Sequence, residues 1–165
     1  MSPTHTHAPQ VREAGGSDIP ELIRLAEVMF SSVGVDADRA GWRDHAARVL
    51  AERLGSDDLA AFVVEDDESG RLVACGAATV AQRLPGPGNP SGRVGYVQWM
   101  VTEEGHRRRG LARAVMGAIL DWYRGHRVRV VELHASSSGE GLYRSLGFES
   151  PPHPQLRLFE ALPPD

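Results

Sequence analysis

The sequence contains no lysine: all 18 of its basic residues are arginine. That absence excludes a phosphate-binding loop of the GxxxxGK(S/T) type, and it excludes Schiff-base and pyridoxal phosphate chemistry, each of which needs a lysine amine. There is one cysteine, Cys75. A single thiol forms no internal disulfide and supplies no zinc site built on two or more thiolates within one chain. It also suits a reducing compartment. No run approaches the roughly 18 consecutive apolar residues of a membrane span. An excess of positive charge is missing too. With 22 acids against 18 bases, the formal net charge is -4, which argues against a general nucleic-acid binder. Met1–Gln10 has no basic start followed by an apolar run, so it does not read as a secretory signal. These absences give the expectation of a soluble, cytoplasmic protein with no membrane or nucleic-acid partner. Residues 1–9 are expected to form a disordered tail, in which His5 and His7 are strays rather than a metal-binding pair. Residues 10–165 are expected to form one domain.

What is present fits a chain with a core. The 165 residues are 41% hydrophobic and 24% charged, an ordinary globular composition. Val11–Ala14 reads as a short edge strand. Ser17 or Asp18 can cap a helix with Pro20 in its first turn, and Leu22, Ile23, Leu25, Ala26 and Met29 follow helical spacing. A second helix is expected from about Asp38 to Leu54, with Trp42, Ala46, Val49 and Leu50 apolar and Gly55 beyond its end. Ala60–Glu65 and Arg71–Ala81 read as a hairpin about an acidic turn, Asp66–Gly70. Leu84–Gly92 is a Pro- and Gly-rich loop, expected to be mobile and near a substrate. Gly95–Thr102 is a third long strand with Val97, Trp99 and Val101 on one face. A helix follows from Leu111 to about Arg124, its stripe being Leu111, Val115, Ala118, Ile119 and Trp122. Arg127–His134 is a strand, Ser136–Gly139 a turn, Gly141–Leu146 a short helix ended by Gly147, and Gln155–Leu162 a last strand. Helices interrupting a largely hairpin-connected sheet indicate an α+β fold, a mixed sheet with one parallel crossover. Trp42, Trp99 and Trp122 fall on faces expected to be buried, and Cys75 reads as a structural thiol. Asp57-Asp58 and Glu65–Glu68 read as solvated turns.

The segment that can carry chemistry is strand, arginine-rich loop, Gly110, helix. A helix N-terminus presents unpaired N–H groups and partial positive charge, which makes an anion site suited to phosphate. Arg107, Arg108, Arg109 and Arg113 add charge at the same place. Gly110 removes a side chain where backbone must approach a bulky diphosphate, and Ala112 keeps the next approach small. The same run would also serve as a solvated basic loop ahead of an amphipathic helix, and the local pattern leaves both readings open.

Arg107-Arg108-Arg109-Gly110-Leu111-Ala112 resembles the Gln/Arg-x-x-Gly-x-Gly/Ala signature of the GNAT family of N-acetyltransferases. Downstream, Gly141-Leu142-Tyr143-Arg144-Ser145-Leu146-Gly147-Phe148 resembles the family's Leu-Tyr-x-x-x-Gly-Phe close. The element order agrees from Val11 to the last strand. The resemblance implies a mostly antiparallel sheet flanked by helices, with one splayed parallel strand pair that admits the pantetheine arm of acetyl-CoA. It implies that Met100, Val101 and Thr102 offer backbone groups to that arm. It implies that Arg107, Arg108, Arg109, Gly110, Leu111, Ala112 and Arg113 hold the diphosphate through backbone N–H groups. It matches Tyr143 to a tyrosine near the thioester sulfur. An amine would then attack the thioester carbonyl directly, with a strand N–H at Val101 steadying the oxyanion. The Tyr143 phenol would donate to the leaving thiolate.

Two positions depart from the family pattern. Ser136 stands where many members carry an asparagine that bonds the pantetheine; it can donate and accept over a shorter reach. Val131 stands where some members place a glutamate base. Glu132 and His134 alternate to the opposite face from Val131. An ammonium must lose a proton before it attacks, so the base stays open among Glu103, Glu104, His106, His134 and a water chain. The expected function is an N-acetyltransferase on a small-molecule or peptide amine. The alternatives are a non-catalytic acyl-CoA sensor or interaction module on the same fold and, more remotely, a nucleotide binder using the arginine loop. The family resemblance also admits a homodimer, and the use of Arg without Lys suggests a GC-rich bacterial genome.

Overall fold

Runs of small and β-branched residues form three long strands, and these make the centre of a five-stranded mixed sheet. The computed structural model describes residues 8–39 and 41–160; most of the expected tail, with His5 and His7, lies outside the described residues. The elements are β1 (Val11–Glu13), α1 (Ile19–Ser32), α2 (Trp42–Arg53), β2 (Leu59–Glu65), β3 (Leu72–Gln82), β4 (Arg93–Thr102), α3 (Leu111–Gly125), β5 (Val130–Leu133) and α4 (Glu140–Ser145). The strands lie in chain order, β1 to β5. The first four are antiparallel neighbours, and β4 pairs with β5 in parallel across α3. The α+β fold read from the sequence is therefore the fold observed. The chain divides between His134 and Ala135 into two compact units. Among the described residues no helix is long and apolar enough to cross a membrane.

On one face of the sheet Leu22 and Leu25 of α1 and Leu50 of α2 pack over Leu59, Ala61, Val63, Cys75, Ala77 and Val101. The entry to α1 is fixed by charge: the Asp18 carboxylate accepts from both terminal nitrogens of Arg12 (2.8 and 2.9 Å) and from Gly15 N (2.8 Å). On the other face α3 lies so close that glycine is required beneath it. A Cβ on Gly76 would meet Met100 Sδ at 2.3 Å and methyls of Val115 and Ile119 at 2.9 Å, and one on Gly95 would lie 2.6 Å from the Tyr123 ring.

Several expectations are corrected. The second helix begins at Trp42 rather than Asp38, because Gly41 enters it with φ +91°, and its Val49 is exposed while Leu50 is buried. The apolar stripe of α3 is rotated: Met116 and Tyr123 are buried with Leu111, Val115 and Ile119, whereas Ala118 and Trp122 sit at its flanks, half-buried. Trp42 and Trp99 are half-buried as well, so none of the three tryptophans is a fully enclosed core residue.

Val97 and Val101 do not share a face. On β3, Cys75 to Ala77 spans two residues; on β4, the partners Val101 and Gln98 span three. The extra residue is a β-bulge, with Trp99 at φ +55°. It reverses the inward alternation, as a one-residue insertion must. Val97 therefore pairs with Ala78, and Val101 with Cys75 on the opposite face. The strand expected from Arg127 begins at Val130. The last expected strand does not form: Gln155–Glu160 is irregular, with Leu156, Leu158 and Phe159 exposed, and Ala161 and Leu162 lie outside the described residues. Pro151, Pro152 and Pro154 interrupt the approach to it, and alternation alone provides no partner strand.

Candidate active site

The parallel pair β4–β5 ends early. Its last register pair is Val97 with Leu133, yet β4 continues for five more residues, from Gln98 to Thr102. Over that stretch no described strand pairs with β4 on its β5 side, so the bulge and Met100, Val101 and Thr102 present an open strand edge. Such an edge has backbone donors and acceptors ready for an extended ligand. Thr102 adds a further feature: its Oγ1 is buried and has no hydrogen-bond partner among the described residues. Its carbonyl, by contrast, accepts from Arg107 Nε (3.1 Å), which ties the arginine loop back to the strand end.

After a single 3-10 turn, Glu104–His106, the loop enters α3 through two left-handed residues, Arg108 (φ +62°) and Gly110 (φ +76°). Gly110 is the N-cap of α3. A Cβ there would meet nothing within 4 Å, so the requirement for glycine is conformational and not one of space. The first closing bond of the helix is Ala114 N to Gly110 O (3.0 Å). The N–H groups of Leu111, Ala112 and Arg113 precede it and point out of the helix end. Leu111 is itself a buried anchor, so only its backbone is offered to a ligand. The side chains of Arg107, Arg108, Arg109 and Arg113 are exposed around that end.

The expected base candidates fall into different settings. Glu103 is in an ion pair with Arg24, which also holds Glu21 and donates to Leu72 O (2.7 Å); this carboxylate ties α1 to the end of β4. Glu104 is exposed on the turn. His106 Nε2 lies 3.4 Å from Asp66, and its Nδ1 is buried without a hydrogen-bond partner among the described residues. Asp66 also accepts from the Ser69 hydroxyl (2.7 Å) and backbone (2.9 Å), and these bonds hold its carboxyl below the usual range.

His134 follows the last residue of β5, where the two strands part. Its Nδ1 lies 2.5 Å from the Tyr96 hydroxyl, with the rings edge to face at 5.6 Å. Next to it Glu132 takes two bonds from Arg83, each 3.0 Å. The expected alternation holds: Gly95, paired with Val131, faces α3, while Tyr96, paired with Glu132, faces the other way. Sequence reasoning missed Tyr96. Its signal was available in the period of β4, which places it one step from Gly95 and across from the strand that carries His134.

In the C-terminal unit, Tyr143 lies on α4, edge-on to Phe148 (6.0 Å) and 3.1 Å from where a Cβ on Gly139 would be. Burial pushes its phenol above the usual value. The Ser136 hydroxyl accepts from Gly139 N (3.2 Å) and lies 3.1 Å from the Ser138 hydroxyl. It therefore builds the turn that leads into α4. Cys75 is buried, and its thiol is pushed up to about 12, since desolvation outweighs the nearby Arg24. It is structural, as expected. The Leu84–Gly92 loop closes on itself through a Gly86–Asn89 bridge with mutual bonds of 3.1 and 3.0 Å.

Known proteins agree with this geometry. The model of the acetyltransferase (GNAT) family matches residues 21–148. Glucosamine 6-phosphate N-acetyltransferase 1 of Oryza sativa subsp. japonica is 30% identical over 161 residues, covering 88% of this chain and 92% of the rice protein. A predicted acetyltransferase from Clostridium acetobutylicum, solved with acetyl-CoA, superposes with a TM-score of 0.83 at 22% identity, over 92% of this chain and 96% of its own. A GCN5-related N-acetyltransferase from Ralstonia eutropha JMP134 gives 0.78 at 23%, over 92% and 99%. This chain belongs to the GNAT family of acetyltransferases: it is an acyl-CoA-dependent acetyltransferase with acetyl-CoA as co-substrate.

Proposed function

We propose that the protein transfers the acetyl group of acetyl-CoA to a primary amine by direct attack within a ternary complex. The observation that carries this reading is the open edge of β4 from Gln98 to Thr102, running directly into the N-terminus of α3. An extended thioester arm fits the first feature and a diphosphate the second, in that order along one chain segment. The Thr102 hydroxyl, which has no hydrogen-bond partner among the described residues, supports a polar ligand there, and the loop arginines supply charge without any lysine. Acetyl-CoA supplies the activated carbonyl; the chain's own residues position it and manage protons. Met100, Val101 and Thr102 hold the arm, with a backbone N–H on the open side of that segment toward the developing oxyanion. The Val101 N–H itself turns to β3, because Val101 pairs with Cys75 two residues before Glu103, whose N–H donates to Val73 O (2.9 Å). Backbone N–H groups from Arg107 to Arg113 hold the diphosphate, and Ser136 serves the arm from its turn. Tyr143, kept protonated by burial, donates to the departing thiolate.

For the base we favour His134. Its Nδ1 lies beside the Tyr96 hydroxyl at the fork of the parallel strands. With Nδ1 protonated and donating to the phenol oxygen, Nε2 keeps a lone pair and can take the ammonium proton, directly or through water. The reading extends to a single acetyltransferase domain over 10–165, acting on a small-molecule or peptide amine in a bacterial cytoplasm.

The test is calorimetric titration with acetyl-CoA, using free CoA and ATP as controls. Micromolar binding of acetyl-CoA that Gly110→Val weakens at least tenfold is the expected result. The substitution forces a β-branched residue to φ +76°, a conformation that costs an ordinary residue about 1–2 kcal/mol. It should misdirect the first N–H groups of α3. Equal binding by the variant would remove the helix end from the site. ATP binding that acetyl-CoA cannot displace would defeat the proposal.

A further inference from the structure

Between the end of α1 and the start of α2 lies a cavity of about 270 Å³, lined by Phe30, Val35, Asp36, Ala37, Arg39 and Trp42. Its walls are aromatic and aliphatic. Phe30 meets Trp42 edge to face at 5.3 Å, and Trp42 meets Trp99 edge to face at 6.4 Å. Trp99 is the left-handed bulge residue of β4, next to Met100. The cavity is thus linked through two ring contacts to the strand segment assigned above to the thioester.

The polar groups around it are few and largely engaged. The Trp42 indole N–H donates to Ala37 O (2.9 Å). Arg43 lies over the Trp42 ring at 5.5 Å, but its guanidinium is held by Glu27 and Asp38. Asp36 Oδ1 accepts from Asp38 N (2.9 Å), which fixes an exposed carboxylate at the rim. Among the described residues of the lining Arg39 is the one cation, and Asp36 stands in the same lining. A phosphate or carboxylate would find no net positive charge here. An apolar group would find two aromatic faces and two aliphatic side chains, with a carboxylate at the entrance that favours an ammonium.

We propose that this cavity holds the body of the acceptor, and that the acceptor is a primary amine with one aryl or branched-alkyl group and no phosphate. The volume is slightly below the range of about 300–1,000 Å³ typical of small-molecule pockets, which suits a one-ring amine. The inference rests on the acetyl-transfer reading and names its substrate class. That class differs from the phosphosugar in the name of the rice relative.

The experiment measures CoA release with 2-phenylethylamine, isoamylamine, glucosamine 6-phosphate and spermidine. Wild type is compared with Val35→Glu and Trp42→Leu, and acetyl-CoA binding is titrated in all three proteins. Val35 is half exposed, so Val35→Glu keeps the fold while placing a carboxylate on the apolar wall. The expected result is a kcat/KM for the two apolar amines at least tenfold above those for the phosphosugar and the polyamine. Both variants should raise the KM for the apolar amines at least tenfold and leave acetyl-CoA binding unchanged. Preference for glucosamine 6-phosphate or spermidine, or variants with unaltered KM for the apolar amines, overturns the inference while acetyl-CoA binding leaves the transfer reading standing. Loss of acetyl-CoA binding in the wild type would overturn both.

Discussion

Gly95→Ala tests how α3 is held against the sheet. The new methyl would lie 2.6 Å from Cε1 and Cζ of Tyr123, whereas carbon atoms prefer about 3.5–4.0 Å, so the ring must retreat by roughly 1 Å. It has nowhere to go: Tyr123 is 1% exposed, and its hydroxyl shares its proton between Thr79 O (3.0 Å) and Tyr96 O (2.9 Å). Overpacking costs about 1–3 kcal/mol and loss of the shared hydrogen bond about 1 kcal/mol, for a total of about 2–4 kcal/mol, or a fall in Tm of roughly 4–16 °C. Urea and thermal unfolding would be run on Gly95→Ala, Tyr123→Leu and the double variant. If the ring is the obstacle, the smaller side chain relieves it, and the double variant is more stable than the sum of the two losses by about 1 kcal/mol or more. Additivity within about 0.5 kcal/mol would refute the clash. The contact bears on function because Gly95 lies on β4 beside β5 and Tyr123 on α3, so it sets where the helix lies against the open strand edge.

The other expectations concern titration and catalysis. Tyr143→Phe should lower kcat by about 10²-fold with acetyl-CoA binding unchanged. Because burial raises its phenol, the wild type should not lose activity from this proton below about pH 10; equal kcat in the variant would remove Tyr143 from the chemistry. His134→Gln should lower kcat at least tenfold, and Tyr96→Phe should lower it by less, each without changing acetyl-CoA binding. An unchanged kcat in both would return the base to water. Stability should fall as pH rises above about 9. The unfolded chain ionises Cys75 there while the folded chain keeps it protonated to about 12, with a slope of at most about 1.4 kcal/mol per pH unit. Tyr123, raised in the same direction by burial, adds to the fall once unfolded phenols ionise near about pH 10. Urea midpoints against pH would show it, and Cys75→Ala should flatten the portion that begins first.

Local chemistry made much of the molecule legible in the sequence alone. Pro20 and Asp18 marked the entry to α1, Gly110 the entry to α3, and Gly147 (φ +95°) the end of α4. Each signal acts through the φ or the hydrogen bonds of its own residue, so no distant partner is needed to read it. The arginine loop, the closing Tyr143 segment and the strand periods set the family and the α+β order for the same reason. Tertiary structure decided what depends on a neighbour. The bulge at Trp99 turned Val97 and Val101 to opposite faces, and only the pairing with Cys75 and Ala77 reveals the extra residue. The rotation of α3 that buries Tyr123 in place of Trp122 follows from the space left by Gly95 and Gly76. Gln155–Glu160 carries the alternation of a strand but is in no strand pair among the described residues. Tyr96 and His134, 38 residues apart, meet only because β4 and β5 run parallel. Sequence period gives each strand its faces, and sheet register alone brings side chains from two strands together.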